Sequence, residues 1–175
     1  SSAAADRSGK EGRLMAKYEA GFIGAGNMGG ALALAAAKKT GGDRIAVACS
    51  TRERSEAAAQ RLGCTAETPQ RILSDSRFVF LGVKPQMLPA LLEELKAPLL
   101  ARKDRFVLVS MAAGITIETI QKILGLPCPV VRIMPNLPVA LGKGVVLISP
   151  DDTVTEEECA AVFGAVLPGR PGAGM

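Results

Sequence analysis

Short apolar segments alternate with longer helical segments from Met15 onward. Two of the short segments, RFVFLGV (77–83) and RFVLVSM (105–111), are apolar almost throughout. Nearly continuous hydrophobicity is typical of strands that are covered on both faces of a sheet. The pattern predicts strands at 17–23, 44–49, 65–66, 77–83, 105–111, 130–134 and 144–149.

The segments between these strands have helical composition and helix-ending residues. Predicted helices cover 27–39, 52–62, 68–74, 85 to about 95, 116–124 and 153–166. Strands that alternate with helices form βαβ units with right-handed crossovers and a parallel sheet. The predicted fold class is therefore α/β, a doubly wound Rossmann domain with a mainly parallel sheet, over residues 15–167. We interpret residues 1–14 as a disordered leader or a cloning remnant, and 168–175 as a loose tail rich in Pro and Gly.

Composition limits the partners of this domain. The chain of 175 residues has a net charge of +4, five Phe, one Tyr and no Trp, and it lacks a dense run of Lys or Arg. A nucleic-acid-binding surface normally shows clustered cations or aromatic platforms, so we expect no nucleic-acid partner. No apolar run approaches the roughly 18 residues of a membrane span, so we expect no membrane partner.

Histidine is absent, and the four cysteines are far apart in sequence. These two facts argue against a metal site and against a disulfide framework, and they favour a reducing, cytoplasmic location. The lack of histidine also excludes mechanisms that need an imidazole base.

The segment GFIGAGNMGGAL (21–32) carries the spacing Gly24-x-Gly26-x-x-Gly29 between a predicted strand and a predicted helix. In this context the first glycine permits a tight turn, the second lets backbone approach a pyrophosphate, and the third lets the helix pack on the strand. The N–H groups at the helix start then favour an anion. The alternative is an ordinary glycine-rich turn without a ligand.

The end of the second strand indicates which dinucleotide binds. Enzymes that use NAD usually have an acidic residue there, which binds the ribose 2′-hydroxyl. This chain has Ser50, Thr51 and Arg52, with Arg54 close behind. Hydroxyl and guanidinium groups suit a 2′-phosphate, so NADP(H) is the preferred cofactor and NAD(H) remains possible. The alternatives are that both arginines are solvated surface charges, and that Glu53 alters the preference.

Two later strand ends are candidates for the remainder of the site. Residues 82–85 (GVKP) and 110–114 (SMAAG) follow predicted strands, and ligands of such sheets bind beyond the carboxyl ends of strands. Small residues there could line the ribose and nicotinamide. Lys84 taken alone is more often a surface lysine than a ligand-binding residue.

The chain resembles the pyrroline-5-carboxylate reductase family. The matching segments are GFIGAGNMGGAL, FVFLGVKPQ (78–86), VSMAAGITIETI (109–120) and VRIMPNLPVALGKG (131–144), in the family's order. This resemblance implies NAD(P)H-dependent reduction of 1-pyrroline-5-carboxylate to L-proline, an oxidoreductase activity of proline biosynthesis. The combination of VKPQ, AAGITI and RIMPN is more specific than the glycine motif.

The resemblance also implies which residues bind, and no catalytic side chain is assigned with confidence. The cofactor-binding residues that it implies, together with the glycine motif, are Ile23, Gly24, Ala25, Gly26, Asn27, Met28, Gly29, Ser50, Thr51, Arg52, Thr68, Val83, Lys84, Pro85, Met111, Ala112 and Ala113. Thr68 is the weaker match, since the family commonly has Asn there. Met134, Pro135 and Asn136 should face the nicotinamide and the substrate, unless this segment serves only the fold.

The sequence departs from the family after residue 165, where a helical domain would follow that carries the homo-oligomer interface and binds the substrate carboxylate. We therefore expect a truncated reductase that binds cofactor and has little activity alone. Two alternatives stay open: a non-catalytic NADP(H)-binding module, and another Rossmann reductase, linked to a deazaflavin or a β-hydroxy acid.

Overall fold

The computed structural model describes residues 16–24, 27–125, 128–133, 148–150 and 153–166. Its strands are β1 (Tyr18–Ile23), β2 (Ile45–Ala48), β3 (Thr65–Ala66), β4 (Ser76–Leu81), β5 (Val107–Ser110), β6 (Val130–Ile133) and β7 (Ile148–Pro150). They form one sheet in the order β3-β2-β1-β4-β5-β6-β7. All neighbours are parallel except β6 and β7, which are antiparallel. The predicted α/β fold with a mainly parallel sheet is confirmed.

Helices cover both faces of this sheet. They are α1 (Asn27–Thr40), α2 (Arg52–Leu62), α3 (Pro69–Asp75), α4 (Leu88–Ala101), α5 (Ile117–Leu124) and α6 (Glu156–Val166). Apolar side chains of α1, α2 and α6 pack on one face, and those of α3, α4 and α5 pack on the other. On the first face the rings of Phe22 and Phe80, from the two central strands β1 and β4, stack with their centroids 4.4 Å apart. The strand order reverses between β1 and β4, which places a ligand-binding crevice at their carboxyl ends.

The helix after residue 85 differs from its prediction. A 3₁₀ turn at Pro85–Met87 precedes α4, and α4 continues to Ala101 although Pro98 lies within it. Proline removes one intrahelical hydrogen bond. The buried side chains of Leu95 and Leu99, each 1% exposed, nevertheless keep this turn on the core, so the helix ends later than the sequence suggests.

Arg102, the residue after α4, holds the connection between α3 and β4 by hydrogen bonds. Its guanidinium makes a two-bonded ion pair with Asp104, at 2.8 and 2.6 Å. It also donates to the carbonyl oxygens of Leu73 and Ser76. The Arg102 side chain is only 3% exposed, so its guanidinium is largely desolvated. The four hydrogen bonds to these acceptors offset that loss of hydration.

The predicted leader (1–14) and tail (168–175) lie outside the described residues. Among the residues that the structure describes, no helix is long and apolar enough to cross a membrane.

Candidate cofactor-binding site

Three backbone hydrogen bonds join the segments that follow the central strands. Gly24 donates to the carbonyl of Ala48, Gly82 donates to that of Ile23, and Met111 donates to that of Leu81, at 2.8, 2.8 and 3.1 Å. The first residues beyond β1, β4 and β5 therefore lie side by side at one edge of the sheet. This is the edge where the sequence predicts cofactor contacts.

The crossing of Gly24 and Gly82 leaves no space for side chains. Gly24 has a φ of +94°, which L-residues with a side chain rarely adopt. A Cβ placed on Gly24 would lie 2.9 Å from the carbonyl carbon of Gly82, and one on Gly82 would lie 2.9 Å from the oxygen of Gly24. A Cβ on Gly29 would collide with the carbonyl of Gly24, so the start of α1 packs directly on this turn.

The loop after β2 is fixed by the buried side chain of Ser55. Its Oγ accepts from the N–H of Cys49 at 2.7 Å and donates to the carbonyl of Thr51 at 3.0 Å. Thr51 caps α2, because its Oγ1 accepts from the N–H of Arg54 at 3.1 Å. Ser50, between these anchored residues, is exposed at the top of the loop.

Two adjoining cavities border this loop and share Cys49 and Ser50. The first, of about 240 Å³ and called here the outer cavity, is lined by Cys49, Ser50, Thr51, Arg52, Ser55, Glu56, Ala66, Glu67, Thr68, Pro69 and Gln70. The second, of about 470 Å³ and called here the switch-point cleft, is lined by Gly24, Cys49, Ser50, Arg54, Ala57, Ala58, Arg61, Gly82, Val83, Lys84 and Met87. An extended ligand could run from the cleft past Ser50 into the cavity.

The cationic groups around this junction differ in their partners. Arg52 forms an exposed i,i+4 ion pair with Glu56 at 3.1 Å. The guanidinium of Arg54 lies 3.4 Å from the Oγ of Ser50. Within the described ranges, neither Arg54 nor Lys84 has a carboxylate within ion-pair distance. The switch-point cleft is therefore the side with uncompensated positive charge.

A buried tyrosine positions a carboxylate in the wall of the outer cavity. The hydroxyl of Tyr18 donates to Oε2 of Glu67 at 2.7 Å, and the N–H of Thr68 donates to Oε1 of Glu67 at 3.2 Å. Tyr18 is 1% exposed. Burial raises the pKa of Tyr18 well above its usual range, and the hydrogen bond to Glu67 raises this pKa further. Tyr18 thus remains a hydrogen-bond donor.

The structure brings together many of the predicted residues. Those that line one of the two cavities are Gly24, Ser50, Thr51, Arg52, Thr68, Val83 and Lys84. Six others border neither cavity: Ile23 and Gly29 are buried, Pro85 starts the 3₁₀ turn, Met111 follows β5 beside Gly82, Ala112 is buried and Ala113 is exposed.

The structure gives no side-chain position for the remaining predicted residues. Asn27 and Met28 begin α1, and Ala25, Gly26, Met134, Pro135 and Asn136 lie outside the described residues.

Sequence reasoning missed several residues that line the cavities. Arg61 lies seven positions after Arg54 on α2. Residues seven apart lie on the same face of a helix, so the sequence does contain a signal for Arg61. Glu67 lacked such a signal, because its hydrogen bond with Tyr18 joins residues that are distant in sequence.

Comparison with known proteins agrees with this geometry. Residues 19–114, more than half of the chain, match the family model described as NADP oxidoreductase coenzyme F420-dependent. The chain is 36% identical over 143 residues to pyrroline-5-carboxylate reductase of Aquifex aeolicus, and 33% identical over 146 residues to that of Escherichia coli. The chain belongs to this oxidoreductase family, as an NADP-binding domain of the pyrroline-5-carboxylate reductase type.

The family relationship covers only part of each relative. These matches include 81% and 82% of this chain, but 51% and 53% of the A. aeolicus and E. coli proteins. The chain thus spans about half the length of the curated relatives it matches.

Solved structures of the family share the fold. A pyrroline-5-carboxylate reductase from Coxiella burnetii superposes with a TM-score of 0.76 at 24% identity, over 87% of this chain and 57% of that one. The Plasmodium falciparum pyrroline carboxylate reductase with NADP bound superposes with a TM-score of 0.71 at 19% identity, over 88% of this chain and 57% of that one.

Proposed function

We propose that this chain binds NADP(H) across its switch-point cleft and outer cavity. In this proposal the glycine turn carries the pyrophosphate, and the adenosine enters the outer cavity past Ser50. The nicotinamide half lies toward Val83–Pro85 and Met111–Ala113. The single observation that carries the proposal is the continuity of the two cavities at Ser50, beside a close-packed glycine turn.

The donors at the junction support a cofactor with a 2′-phosphate. Ser50 offers a hydroxyl, and Arg54 offers a guanidinium that has no carboxylate partner in the described part of the chain. A guanidinium can bind a phosphate with two parallel hydrogen bonds. Arg52 adds a second guanidinium, but this group already pairs with Glu56, so the phosphate has to compete with that carboxylate. We assign Ser50, Arg52 and Arg54 to the 2′-phosphate.

We further propose that the protein to which this domain belongs reduces 1-pyrroline-5-carboxylate to L-proline. The support is the identity of 33–38% to proteins named pyrroline-5-carboxylate reductase. The bound dinucleotide would supply the hydride for the imine carbon. The residues of this chain would hold and orient that cofactor, and the segment with Met134, Pro135 and Asn136 would face the substrate.

Cofactor binding and reduction are tested separately. Titration of the chain with NADPH and NADH, followed by the fluorescence of the reduced nicotinamide, should give saturable binding with tighter binding of NADPH. Absence of NADPH binding at millimolar concentration would refute the cofactor proposal. NADPH oxidation is then measured with pyrroline-5-carboxylate, and oxidation above the rate without enzyme supports the substrate proposal. If cofactor binds without turnover, the chain acts as a binding module under these conditions.

A second candidate is a reductase that exchanges hydride between NADP and a deazaflavin. The description of the matched family, which names coenzyme F420, favours it. The same NADPH oxidation assay with a deazaflavin in place of the imine distinguishes the two activities.

A further inference from the structure

The wall of the outer cavity carries a carboxylate that the proposed function does not yet use. Glu67 follows β3, and its backbone N–H donates to the carbonyl of Val47 on the neighbouring strand at 3.0 Å. Both carboxylate oxygens are held, one by the hydroxyl of Tyr18 and the other by the N–H of Thr68. The side chain is therefore positioned before any ligand arrives.

This carboxylate can only accept hydrogen bonds from a ligand. An ionised carboxylate has about four acceptor sites on its two oxygens, and the two observed bonds occupy half of them. The neighbouring lining residues Ala66 and Pro69 offer apolar surface, which suits the face of an aromatic base. A flat ring with an exocyclic amino group fits this combination, since the amino group is a donor.

We infer that Glu67 selects the adenine base of the cofactor by accepting a hydrogen bond from its 6-amino group. This inference rests on the proposed binding of NADP(H) in the two cavities. Tyr18 is the positioning residue, because its hydroxyl holds the carboxylate while Tyr18 itself is buried and lines neither cavity. A purine with hydrogen in place of the amino group would offer this carboxylate no donor at position 6.

The test compares NADPH with its purine analogue, reduced nicotinamide purine dinucleotide phosphate, in which hydrogen replaces the 6-amino group of adenine. The two molecules differ only at the base and share the fluorescent nicotinamide. We expect the 175-residue chain to bind NADPH about 10-fold more tightly or better, as for a hydrogen bond to a charged acceptor. Equal affinities would overturn the inference and leave the cofactor proposal standing. Failure of both to bind would overturn both.

Variants locate the effect. Glu67→Gln should lower the affinity ratio, because a neutral amide oxygen accepts a hydrogen bond from adenine more weakly than a carboxylate does. Tyr18→Phe should reduce the ratio partly, since the carboxylate stays but loses its orientation. Glu56→Gln, which changes a carboxylate elsewhere in the same cavity, is the matched control and should keep the wild-type ratio. Full discrimination in a folded Glu67→Gln variant would also overturn the inference, and thermal unfolding confirms that the variant is folded.

Discussion

The backbones of Gly24 and Gly82 pass each other so closely that a Cβ on Gly24 would lie 2.9 Å from the carbonyl carbon of Gly82. This approach joins β1 and β4 at the reversal of strand order, where the proposed pyrophosphate site begins. It also makes the site sensitive to the smallest possible side chain, a methyl group.

Gly24→Ala should therefore abolish detectable NADPH binding and lower stability by more than the cost of a left-handed residue alone. That cost is measured by the control Gly63→Ala, since Gly63 has a φ of +74° and a methyl group added there would meet nothing within 4 Å. A left-handed alanine costs about 1–2 kcal/mol. Chemical denaturation gives the free energies of unfolding of both variants. Equal losses would show that the contact with Gly82 relaxes freely.

Arg54→Ala should weaken NADPH binding about 10- to 100-fold and leave NADH binding nearly unchanged, because only NADPH carries the 2′-phosphate. Arg52→Ala should have a smaller effect, since Glu56 already engages its guanidinium. Fluorescence titration measures both cofactors. Lys96→Ala on α4 removes the same charge away from the site and serves as the control. An unchanged NADPH/NADH ratio in both arginine variants would remove the 2′-phosphate assignment.

Asp104 should make stability depend on acid pH. Its hydrogen bonds with Arg102 hold the pKa of Asp104 below its ordinary value of about 3.9. A carboxyl whose pKa is lowered by folding stabilises the protein above its unfolded pKa, and this contribution disappears as pH falls through the folded pKa. Unfolding free energies of wild type and Asp104→Asn should therefore differ most well above the unfolded pKa of about 3.9 and converge as pH falls below it. Parallel curves over that range would contradict this.

Arg102→Ala removes the other partner of this pair and leaves Asp104 and two backbone carbonyl groups without their donor. Breaking a fully buried pair in this way costs about 3–5 kcal/mol, and the loss here should lie at the lower end because the Asp104 side chain is 17% exposed. Arg102→Lys keeps the positive charge but lacks the planar set of N–H donors of a guanidinium. This variant should therefore be more stable than Arg102→Ala and less stable than the wild type. The measurement is again chemical denaturation, and full recovery by lysine would show that charge alone is needed.

Ser76→Ala should leave stability unchanged or raise it by about 1 kcal/mol. The Oγ of Ser76 is buried without a hydrogen-bond partner among the described residues, whereas its backbone carbonyl still accepts from Arg102. Ser55→Ala is the opposite case, because the Oγ of Ser55 makes two hydrogen bonds and its loss should destabilise. Thermal unfolding compares the two. A clear loss of stability in Ser76→Ala would mean that its hydroxyl has a partner in solution.

The sequence predicts the fold well because its signals are local. Alternating apolar segments and the glycine turn each report on a few consecutive residues, and the parallel topology follows from them. The extension of α4 beyond Leu95 was not predictable from Pro98, since tertiary burial of Leu99 outweighs the local signal of proline. Two other contacts were not predictable because they join residues that are distant in sequence. They are the hydrogen bonds of the Arg102 guanidinium and the hydrogen bond between Tyr18 and Glu67.

The brevity of β3 has a consequence for the behaviour of the protein in concentrated solution. Thr65–Ala66 is the outermost strand on its side of the sheet, and the side chain of Thr65 turns inward to donate to the carbonyl of Gly42 at 3.1 Å. An outer strand of two residues presents few free backbone groups to a second molecule. Intermolecular strand addition, a common first step of aggregation, is thereby discouraged on the side where adenosine would enter.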